Sequence, residues 1–487
     1  SSGKFYFEVV YSRSGQGQFA GIRKPGSRNY NDSYIYTGTA NKYTDGGSGA
    51  SYGATLAHGD VIGTAFDADN GTLTFYKNGV SQGQAFSGIS GTYAFFVGSF
   101  GGPPTGVVNF GASGNFAYTP PAGHKSLCTQ NLADPTIADG SDYFDIDLYQ
   151  GTGASHTRSG FSFSPDWIWI KVRDAGSSHR VFDTVRGAGK HLLPDDQGTE
   201  GTHTAALSGF TSDGYTLGSN NDGATNVNQN NKNYAGWLWD AGTSTVSNST
   251  GNRDCSIRAS AASGFSIVSW EGNRSSGTTL GHGLSAAPEL IIAKNRSRET
   301  NWMVYHKGVG HGGYLGLNMT AAFASASSVW DNTAPTNSVF TVGQDTESNG
   351  DGDDMIAYCF TSVEGYCKVG SFTNPSSSLG AFVYCGFRPA FILGKCAQNI
   401  SSSSGAGDWI IKDTARSPFN NPSDGNTLVA NVANSEDGYY NASQAAVDIL
   451  SNGFKIRHPN SSPLGDPGRL YIFLAIAEHP FKTARAR

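Results

Sequence analysis

The sequence has 487 residues and a formal net charge of −6 at pH 7, and charged residues make up only 15% of it. This balance provides no concentrated basic surface for phosphate groups, so no nucleic-acid partner is predicted. No run of about 18 apolar residues occurs, so no membrane insertion is predicted. Glycine is abundant (65 residues), and no long stretch shows the 3.6-residue apolar period of a helix. These features predict an all-β protein with turn-rich loops.

The first 125 residues have a strand pattern of their own. Strands are predicted at residues 4–10, 59–66, 72–77, 93–98 and 107–111. The third of them ends at Asn78-Gly79, and both residue types tolerate the positive φ of a type I′ turn. A tight hairpin is therefore expected here.

The order and spacing of these strands resemble a SPRY domain, which is a concanavalin A-like β-sandwich. The resemblance covers most of residues 1–125. SPRY domains usually have further strands before the equivalent of Lys4, and the sequence opens at Ser1 rather than at Met. We therefore expect a further segment upstream.

The rest of the chain contains one short strand motif three times. The copies begin at Pro165, Pro288 and Pro389, and a Lys follows each Pro by six positions (Lys171, Lys294 and Lys395). The residues between are apolar on both alternating faces of an extended chain. Each copy is therefore predicted to be an interior strand that is buried on both sides.

Other strand patterns recur at matching positions before and after this motif. An alternating strand precedes each copy, and an aromatic strand closes each unit, at residues 234–239, 356–360 and 471–475. The prolines are 123 and 101 positions apart, which is a domain length rather than a solenoid period. We predict tandem β-sandwich or jelly-roll domains: a SPRY-like sandwich (1–125) followed by repeat 1 (126–248), repeat 2 (249–364) and repeat 3 (365–487).

The linker and the repeats resemble predicted bacteriophage tail-fibre and virion proteins, many of them from marine phages. The linker residues 116–132, the segment 281–284 of repeat 2 and the segment 386–391 of repeat 3 support this resemblance. It implies a virion or appendage protein, and that family supplies no agreed catalytic residues. Stretches rich in Ser, Asn, Gly and Asp separate the framework strands and are predicted to be exposed loops that bind a ligand, at residues 198–208, 220–233, 321–337, 401–407 and 420–446.

Two acidic segments are weak candidates for a metal site. The sharper one could supply oxygen ligands for calcium from Asp345, Glu347, Asn349, Asp351, Asp353 and Asp354. It lacks the order of an EF-hand loop, so a solvated acidic loop is favoured and no cofactor is predicted. Residues 67–71 also resemble the start of a calcium loop, but the SPRY resemblance favours a hairpin turn.

Other recurring residues favour structural roles. Trp167 with Trp169 and Trp237 with Trp239 could form a sugar-stacking platform, but apolar residues occupy the same places in the other repeats, so core packing is favoured. Two Asp-Arg pairs, Asp183 with Arg186 and Asp413 with Arg416, favour a turn brace over an active site. The six cysteines form no CxxC pair and are predicted to be buried thiols.

Signatures of enzymes are absent or broken. Residues 187–190 lack the first Gly and the final Ser or Thr of a phosphate loop, and no HExxH or GxSxG motif occurs. We therefore predict a non-enzymatic virion protein of a tail fibre or appendage, on the particle surface, that attaches to a host glycan or protein. It is expected to contact other virion subunits and to form a homo-oligomer. The alternatives are a purely architectural subunit and a polysaccharide depolymerase.

Overall fold

The computed structural model describes residues 3–12, 18–24, 33–44, 49–91, 93–99, 107–111, 115–126, 136–219, 227–375, 380–398, 407–420, 426–436, 438, 440, 447–457 and 463–478. The chain forms two compact units, Ser1–Ala133 and Asp134–Arg487. The division of the second unit into three separate domains stays a prediction.

The first unit contains eleven strands among its described residues: β1 (Lys4–Val10), β2 (Gln18–Arg23), β3 (Ser33–Thr37), β4 (Asn41–Thr44), β5 (Ala50–Ser51), β6 (Val61–Asp67), β7 (Thr72–Lys77), β8 (Val80–Phe86), β9 (Ala94–Ser99), β10 (Val108–Asn109) and β11 (Lys125–Ser126). One sheet has the order β10-β1-β6-β7-β8, with β11 also pairing with β1, and the other has the order β5-β4-β3-β2-β9. Their inner faces enclose a core that includes Phe7, Ile22, Tyr36 and Phe75. The predicted β-sandwich is confirmed.

The predicted hairpin turn joins β7 to β8. Asn78 has φ 49° and Gly79 has φ 79°, the positive values that a type I′ turn requires. The Asn78 side chain also accepts a hydrogen bond from the backbone N–H of Val61 at 2.7 Å, which ties the turn to β6.

The second unit repeats its strands in the same order along the chain. Repeat 1 contains β12 (Phe144–Gln150), β13 (His156–Ser159), β14 (Trp167–Val172), β15 (Arg180–Asp183), β16 (Lys190–His191), β17 (Gly201–Thr202), β18 (Leu207–Thr211), β19 (Gly214–Leu217), β20 (Asn233–Trp239) and β21 (Val246–Asn248), after a 3-10 turn at Gly140–Asp142.

Repeats 2 and 3 follow. Repeat 2 contains β22 (Cys255–Ser260), β23 (Phe265–Glu271), β24 (Thr278–Gly281), β25 (Leu290–Asn295), β26 (Met303–His306), β27 (Gly310–Gly316), β28 (Ala324–Ser325), α1 (Ser327–Trp330), β29 (Val339–Val342), α2 (Thr346–Asn349) and β30 (Asp354–Phe360). Repeat 3 contains β31 (Cys367–Thr373), β32 (Phe382–Tyr384), β33 (Pro389–Cys396), β34 (Ile410–Asp413), β35 (Leu428–Val429), β36 (Val447–Leu450), β37 (Gly453–Ile456) and β38 (Leu470–Ala477).

Four strands of each repeat pair in one fixed order. That order is β12-β20-β14-β15 in repeat 1, β23-β30-β25-β26 in repeat 2 and β31-β38-β33-β34 in repeat 3. The motif strands β14, β25 and β33 are interior in all three sheets, and every residue of each is buried. The repeats and their interior strands are therefore confirmed.

A smaller sheet faces the main sheet in each repeat. It contains β13-β19-β18 in repeat 1, β24-β29 in repeat 2 and β32-β37-β36 in repeat 3. The layout explains why the motif strand is apolar on both faces. In repeat 1, Ile168 and Ile170 pack against the small sheet, whereas Trp167 and Trp169 point into a core that all three repeats share.

That shared core lies where the three main sheets meet. Repeat 1 contributes Trp167 and Trp239, and both of these rings lie within 6.5 Å of Phe360 of repeat 2. Trp239 also lies 5.5 Å from Phe391 of repeat 3. Because no repeat covers this aromatic face alone, the three sheets stabilise one another.

Hydrogen bonds between neighbouring repeats form a closed cycle. Three ring N–H groups at equivalent positions, four residues before the end of β15, β26 and β34, each donate to a backbone carbonyl of another repeat. The pairs are His179 Nε2 with Val429 O at 3.0 Å, Trp302 Nε1 with Leu193 O at 2.8 Å and Trp409 Nε1 with Gly316 O at 2.8 Å. Repeat 1 thus bonds to repeat 3, repeat 2 to repeat 1 and repeat 3 to repeat 2.

Backbone hydrogen bonds join the same three pairs of repeats. At two of these three junctions a salt bridge is also present. The backbone pairs are Glu200 N with Arg296 O, Phe323 N with Ala397 O and Glu436 N with Arg173 O, at 2.7–2.9 Å. The carboxylate of Glu200 also binds Arg296, and that of Glu436 binds Arg173, both at 2.7 Å. The junction between repeats 2 and 3 has Phe323 and Ala397 in these places and no such bridge.

Two of the predicted exposed loops take part in this packing. Residues 198–208 include Glu200, and residues 321–337 include Phe323 and the buried Trp330. These two loops are therefore exposed only in part, and the prediction that they bind a ligand stays a prediction. Residues 220–226, 401–406 and parts of 420–446 lie outside the described residues. Among the described helices, none is long and apolar enough to cross a membrane.

Candidate functional site

The two Asp-Arg pairs brace the turns after β15 and β34. Asp183 accepts from Arg186 Nε at 2.5 Å, and Asp413 accepts from Arg416 Nε at 2.6 Å, with no side-chain exposure in either pair. In both turns the backbone N–H of the Arg donates to the second carboxylate oxygen, at 2.8 and 2.9 Å. The interpretation as turn braces is confirmed.

Each brace also holds an aromatic side chain of another repeat. Asp183 accepts a hydrogen bond from the Tyr358 hydroxyl at 2.7 Å, and Asp413 accepts one from Trp237 Nε1 at 3.1 Å. Repeat 2 has His306 at this position, and burial lowers its pKa to about 4. The neutral ring accepts from the Gly308 N–H through Nδ1, so Nε2 bears the proton and faces the Phe473 carbonyl at 3.4 Å. These groups are closed to any substrate.

The three motif lysines form a second buried set, whose role the sequence pattern did not indicate. Lys171, Lys294 and Lys395 are at most 1% exposed. Burial lowers their pKa values to about 8, 8 and 7. A lysine of lowered pKa suits nucleophilic catalysis. Here, however, the ammonium groups face backbone carbonyls, and two of the lysines reach the preceding repeat: Lys294 donates to Gln197 O at 3.0 Å and Lys395 to Met319 O at 2.9 Å.

The acidic cluster of repeat 2 is spread among structural hydrogen bonds. Asp345 caps α2 by accepting from the Glu347 N–H, and Glu347 accepts from the side chain of Asn301 at 2.8 Å. Asp353 accepts from Arg298 at 2.5 Å, whereas Asp351 lies in an exposed turn. No group of three or more His, Cys, Asp or Glu within the described ranges is arranged to hold a metal ion.

The acidic segment of the first unit forms a turn. Asp67 accepts hydrogen bonds from the backbone of Asp69 and Asn70, both at 3.1 Å, and pairs with Lys4 at 2.9 Å. Burial acts to raise the pKa of Asp67, but the bonds from Asn70 and Lys4 outweigh it and lower the pKa to about 2. The carboxylate is thus committed to the β6–β7 hairpin, as the turn interpretation predicts.

The tryptophan pairs and the cysteines are core residues. Trp167, Trp169, Trp237 and Trp239 are at most 2% exposed, so no sugar can stack on them. Five cysteines are buried free thiols, as predicted: Cys255, Cys359, Cys367, Cys385 and Cys396. Cys128 lies outside the described residues.

An open groove lies between residues of repeat 2 and repeat 3. We call it the 2–3 groove. It has a volume of about 420 Å³, and its lining includes Lys307 of repeat 2 and Lys368, Ser371, Phe382, Tyr384 and Phe473 of repeat 3. Phe382 is 50% exposed and Tyr384 is 65% exposed. This combination of aromatic rings and ammonium groups was not anticipated from the sequence, because the groove is built from strands distant in the chain.

Comparison with known proteins agrees with the first unit. The SPRY domain family model matches residues 4–113, so this segment is a SPRY domain. Similar relatives include protein ssh4 of Sclerotinia sclerotiorum, with 32% identity over 161 residues, which is 32% of this chain and 30% of that protein. The Ran-binding proteins 9/10 homolog of Drosophila melanogaster is 37% identical over 97 residues, which is 18% of this chain and 10% of that protein. The chain thus spans less than a third of the length of either relative.

A solved structure is similar in the same region. The SPRY domain of human HERC1 has a TM-score of 0.20 and 19% identity, and the match covers 22% of this chain and 74% of that one.

The fold defines an all-β protein in which a SPRY sandwich precedes a unit of three repeated sheets. A family model described as a domain of unknown function (DUF7483) matches residues 139–480, well over half of the chain. The chain belongs to the DUF7483 family. The resemblance of the repeats to bacteriophage tail-fibre proteins stays a prediction.

Proposed function

We propose that this chain is a non-catalytic structural and recognition protein of a bacteriophage virion, part of a tail fibre or appendage, that attaches to a host surface glycan or protein. On this proposal it is located on the particle surface and contacts other virion subunits. It also forms a homo-oligomer there.

The observation that carries the proposal is the closed cycle of contacts in residues 134–487. The Asp-Arg pairs and the motif lysines are polar groups of the kind that a catalytic site would use. Here they make structural contacts within and between the repeats. A shared aromatic core closed by three equivalent junctions makes a rigid scaffold. A rigid scaffold is what a displayed recognition surface requires.

Two features support the recognition part. The chain contains a SPRY domain, and SPRY domains in general mediate protein interactions. The second unit also presents an open groove with exposed aromatic rings, which a purely internal core would not need.

The experiment is to locate the chain in purified phage particles. Antibodies against residues 134–487 would be used for mass spectrometry of captured particles and for cryo-EM of labelled ones. The proposal expects the chain at a projecting appendage, with the 2–3 groove open to solvent. Absence of the chain from every particle fraction would contradict the virion assignment. Release of reducing ends from host polysaccharide would contradict the non-catalytic assignment and establish a depolymerase.

A purely architectural subunit is the second candidate. It is favoured by Glu200 and Phe323, which lie in two of the predicted loops and make backbone hydrogen bonds to neighbouring repeats. Burial of the groove and of the SPRY surface against other subunits in the same cryo-EM map would decide for this candidate.

A further inference from the structure

We propose that the 2–3 groove binds an acidic saccharide, whose sugar ring packs on Phe382 and Tyr384 and whose carboxylate or sulfate group lies beside Lys368 and Lys307. This inference names the ligand class of the recognition function proposed above and rests on it.

The aromatic pair is specific to repeat 3. Phe382 and Tyr384 both face outward on β32, with the buried Val383 between them. The equivalent positions in the other repeats follow from strand pairing in the small sheets. Phe454, Tyr215 and Phe340 occupy the same place in β37, β19 and β29. Their partners on the neighbouring strand are Val383, Arg158 and Leu280, respectively. The aromatic positions therefore correspond to Thr157 and Ser159 in repeat 1 and to Thr279 and Gly281 in repeat 2. The shared framework thus requires no aromatic ring at either position.

Exposing two neighbouring aromatic rings to water has a cost that a folded protein usually avoids unless the surface binds something. Rings with an apolar face and a polar tip, as in Tyr384, suit a ligand that is apolar on its ring face and polar at its edge. The hydroxyl of Ser371, which is exposed at the same groove, offers a further hydrogen-bond partner.

Charge selects an acidic ligand over a neutral one. Lys307 forms a salt bridge with Glu289, so its positive charge is already balanced. Lys368 is partly exposed, and its ammonium group makes no ion pair or hydrogen bond with any described residue, which leaves the groove with one positive charge in excess. An anionic group bound there would gain a charge-assisted hydrogen bond.

Strand addition by a peptide is disfavoured by the backbone at the same place. β32 has only three residues, and the first half of the outer edge of β31 is already occupied, because Val363 exchanges backbone hydrogen bonds with Cys367 and the Ser362 hydroxyl accepts from the Val369 N–H. A peptide would therefore find few main-chain partners for β-augmentation.

The test is isothermal titration of the whole chain with hyaluronate and polygalacturonate hexasaccharides, and with maltohexaose as the neutral probe. We expect an acidic hexasaccharide to bind at least about tenfold more tightly than maltohexaose, a difference that corresponds to about 1.4 kcal/mol. The acidic binding should weaken as salt is raised, since exposed charges are screened. Tyr384→Ala and Lys368→Gln should each weaken it by about tenfold.

Two matched variants control for surface changes outside the groove. Phe419→Ala removes another exposed ring of repeat 3, which is 77% exposed, and Lys232→Gln removes another lysine of the second unit. Both should leave the affinity unchanged, and melting curves should match for all four variants.

Three results would overturn the inference: no binding of either acidic hexasaccharide, equal binding of maltohexaose, or acidic binding that the groove variants do not change. If a Glu-rich peptide bound to the groove and the acidic hexasaccharides did not, the ligand would be a protein and not a saccharide. None of these results bears on whether the chain is part of a virion. The particle experiment tests that question separately, so failure of the inference and failure of the proposed function are distinguishable.

Discussion

At the residue scale, this chain uses charged groups inside its core to fix the relative position of its repeats. Asp183 and Arg186 have no exposed side-chain area, and Asp183 also receives the Tyr358 hydroxyl from repeat 2. A buried pair of this kind is expensive to break because the remaining charge has no solvent to compensate it.

Asp183→Asn should therefore lower the free energy of unfolding of the second unit by about 3–5 kcal/mol. Denaturant unfolding followed by tryptophan fluorescence measures this, since the shared core contains four tryptophans of repeat 1. Glu364→Gln, at an exposed turn residue, is the control and should change the midpoint little. A loss below about 1 kcal/mol for Asp183→Asn would show that the brace contributes little.

Lys395 makes stability depend on pH. Burial lowers its pKa to about 7 in the folded chain, whereas an unfolded lysine keeps a pKa of about 10.4. Between these values the unfolded state binds more protons, so this lysine makes the native state more stable as pH rises. Below pH 7 the cost of its buried charge is present in full.

The measurable quantity is the difference in unfolding free energy between the native chain and Lys395→Met. It should shift in favour of the native chain as pH rises from about 7 to about 10. The difference cancels the titration of the cysteines and tyrosines that both chains share. Lys232→Met, which removes a lysine elsewhere in the second unit, is measured beside it as the control. A flat difference for Lys395→Met would mean that the lysine keeps an ordinary pKa when folded.

At the element scale, the Asn78-Gly79 hairpin was predictable because its turn chemistry is local. Gly79 has a second constraint that the sequence does not show. A Cβ atom there would lie 2.6 Å from the Tyr118 ring, and Tyr118 is distant in sequence. Gly83 has a similar φ of +82°, but a Cβ atom there would meet nothing within 4 Å.

Alanine substitutions at these two glycines separate the cost of backbone strain from the cost of a steric clash. Gly83→Ala should destabilise the first unit by about 1 kcal/mol, which is the cost of positive φ alone. Gly79→Ala should cost about 1–3 kcal/mol more because the Tyr118 ring must shift. Thermal unfolding of residues 1–133 in the whole chain measures both. Equal losses would show that Tyr118 yields without cost.

At the scale of the whole molecule, the three repeats form a closed cycle and not an open stack. In an open solenoid each repeat contacts only its neighbours, so loss of a terminal repeat leaves the others folded. Here repeat 3 bonds to repeat 2 through Trp409 and to repeat 1 through His179, and it covers the shared aromatic core.

A chain that ends at residue 364 should therefore lose cooperative unfolding of the remaining repeats, while the SPRY domain keeps its own transition. Differential scanning calorimetry of this truncated chain beside the complete chain measures the loss. A preserved cooperative transition of repeats 1 and 2 would show that they fold without repeat 3, which would contradict the closed cycle as a source of stability.

The sequence by itself determined the β class, the SPRY domain, the hairpin turn, the three interior strands and the structural roles of the Trp, Asp and Arg motifs. The SPRY domain follows from a family resemblance, and the others follow from side-chain alternation, from turn chemistry or from the spacing of recurring residues. It did not determine that the repeats close on one core, that the motif lysines reach neighbouring repeats, or that Phe382, Tyr384, Lys307 and Lys368 share a groove. Those features arise from contacts between residues tens to hundreds of positions apart, and only the tertiary structure decides which distant strands meet.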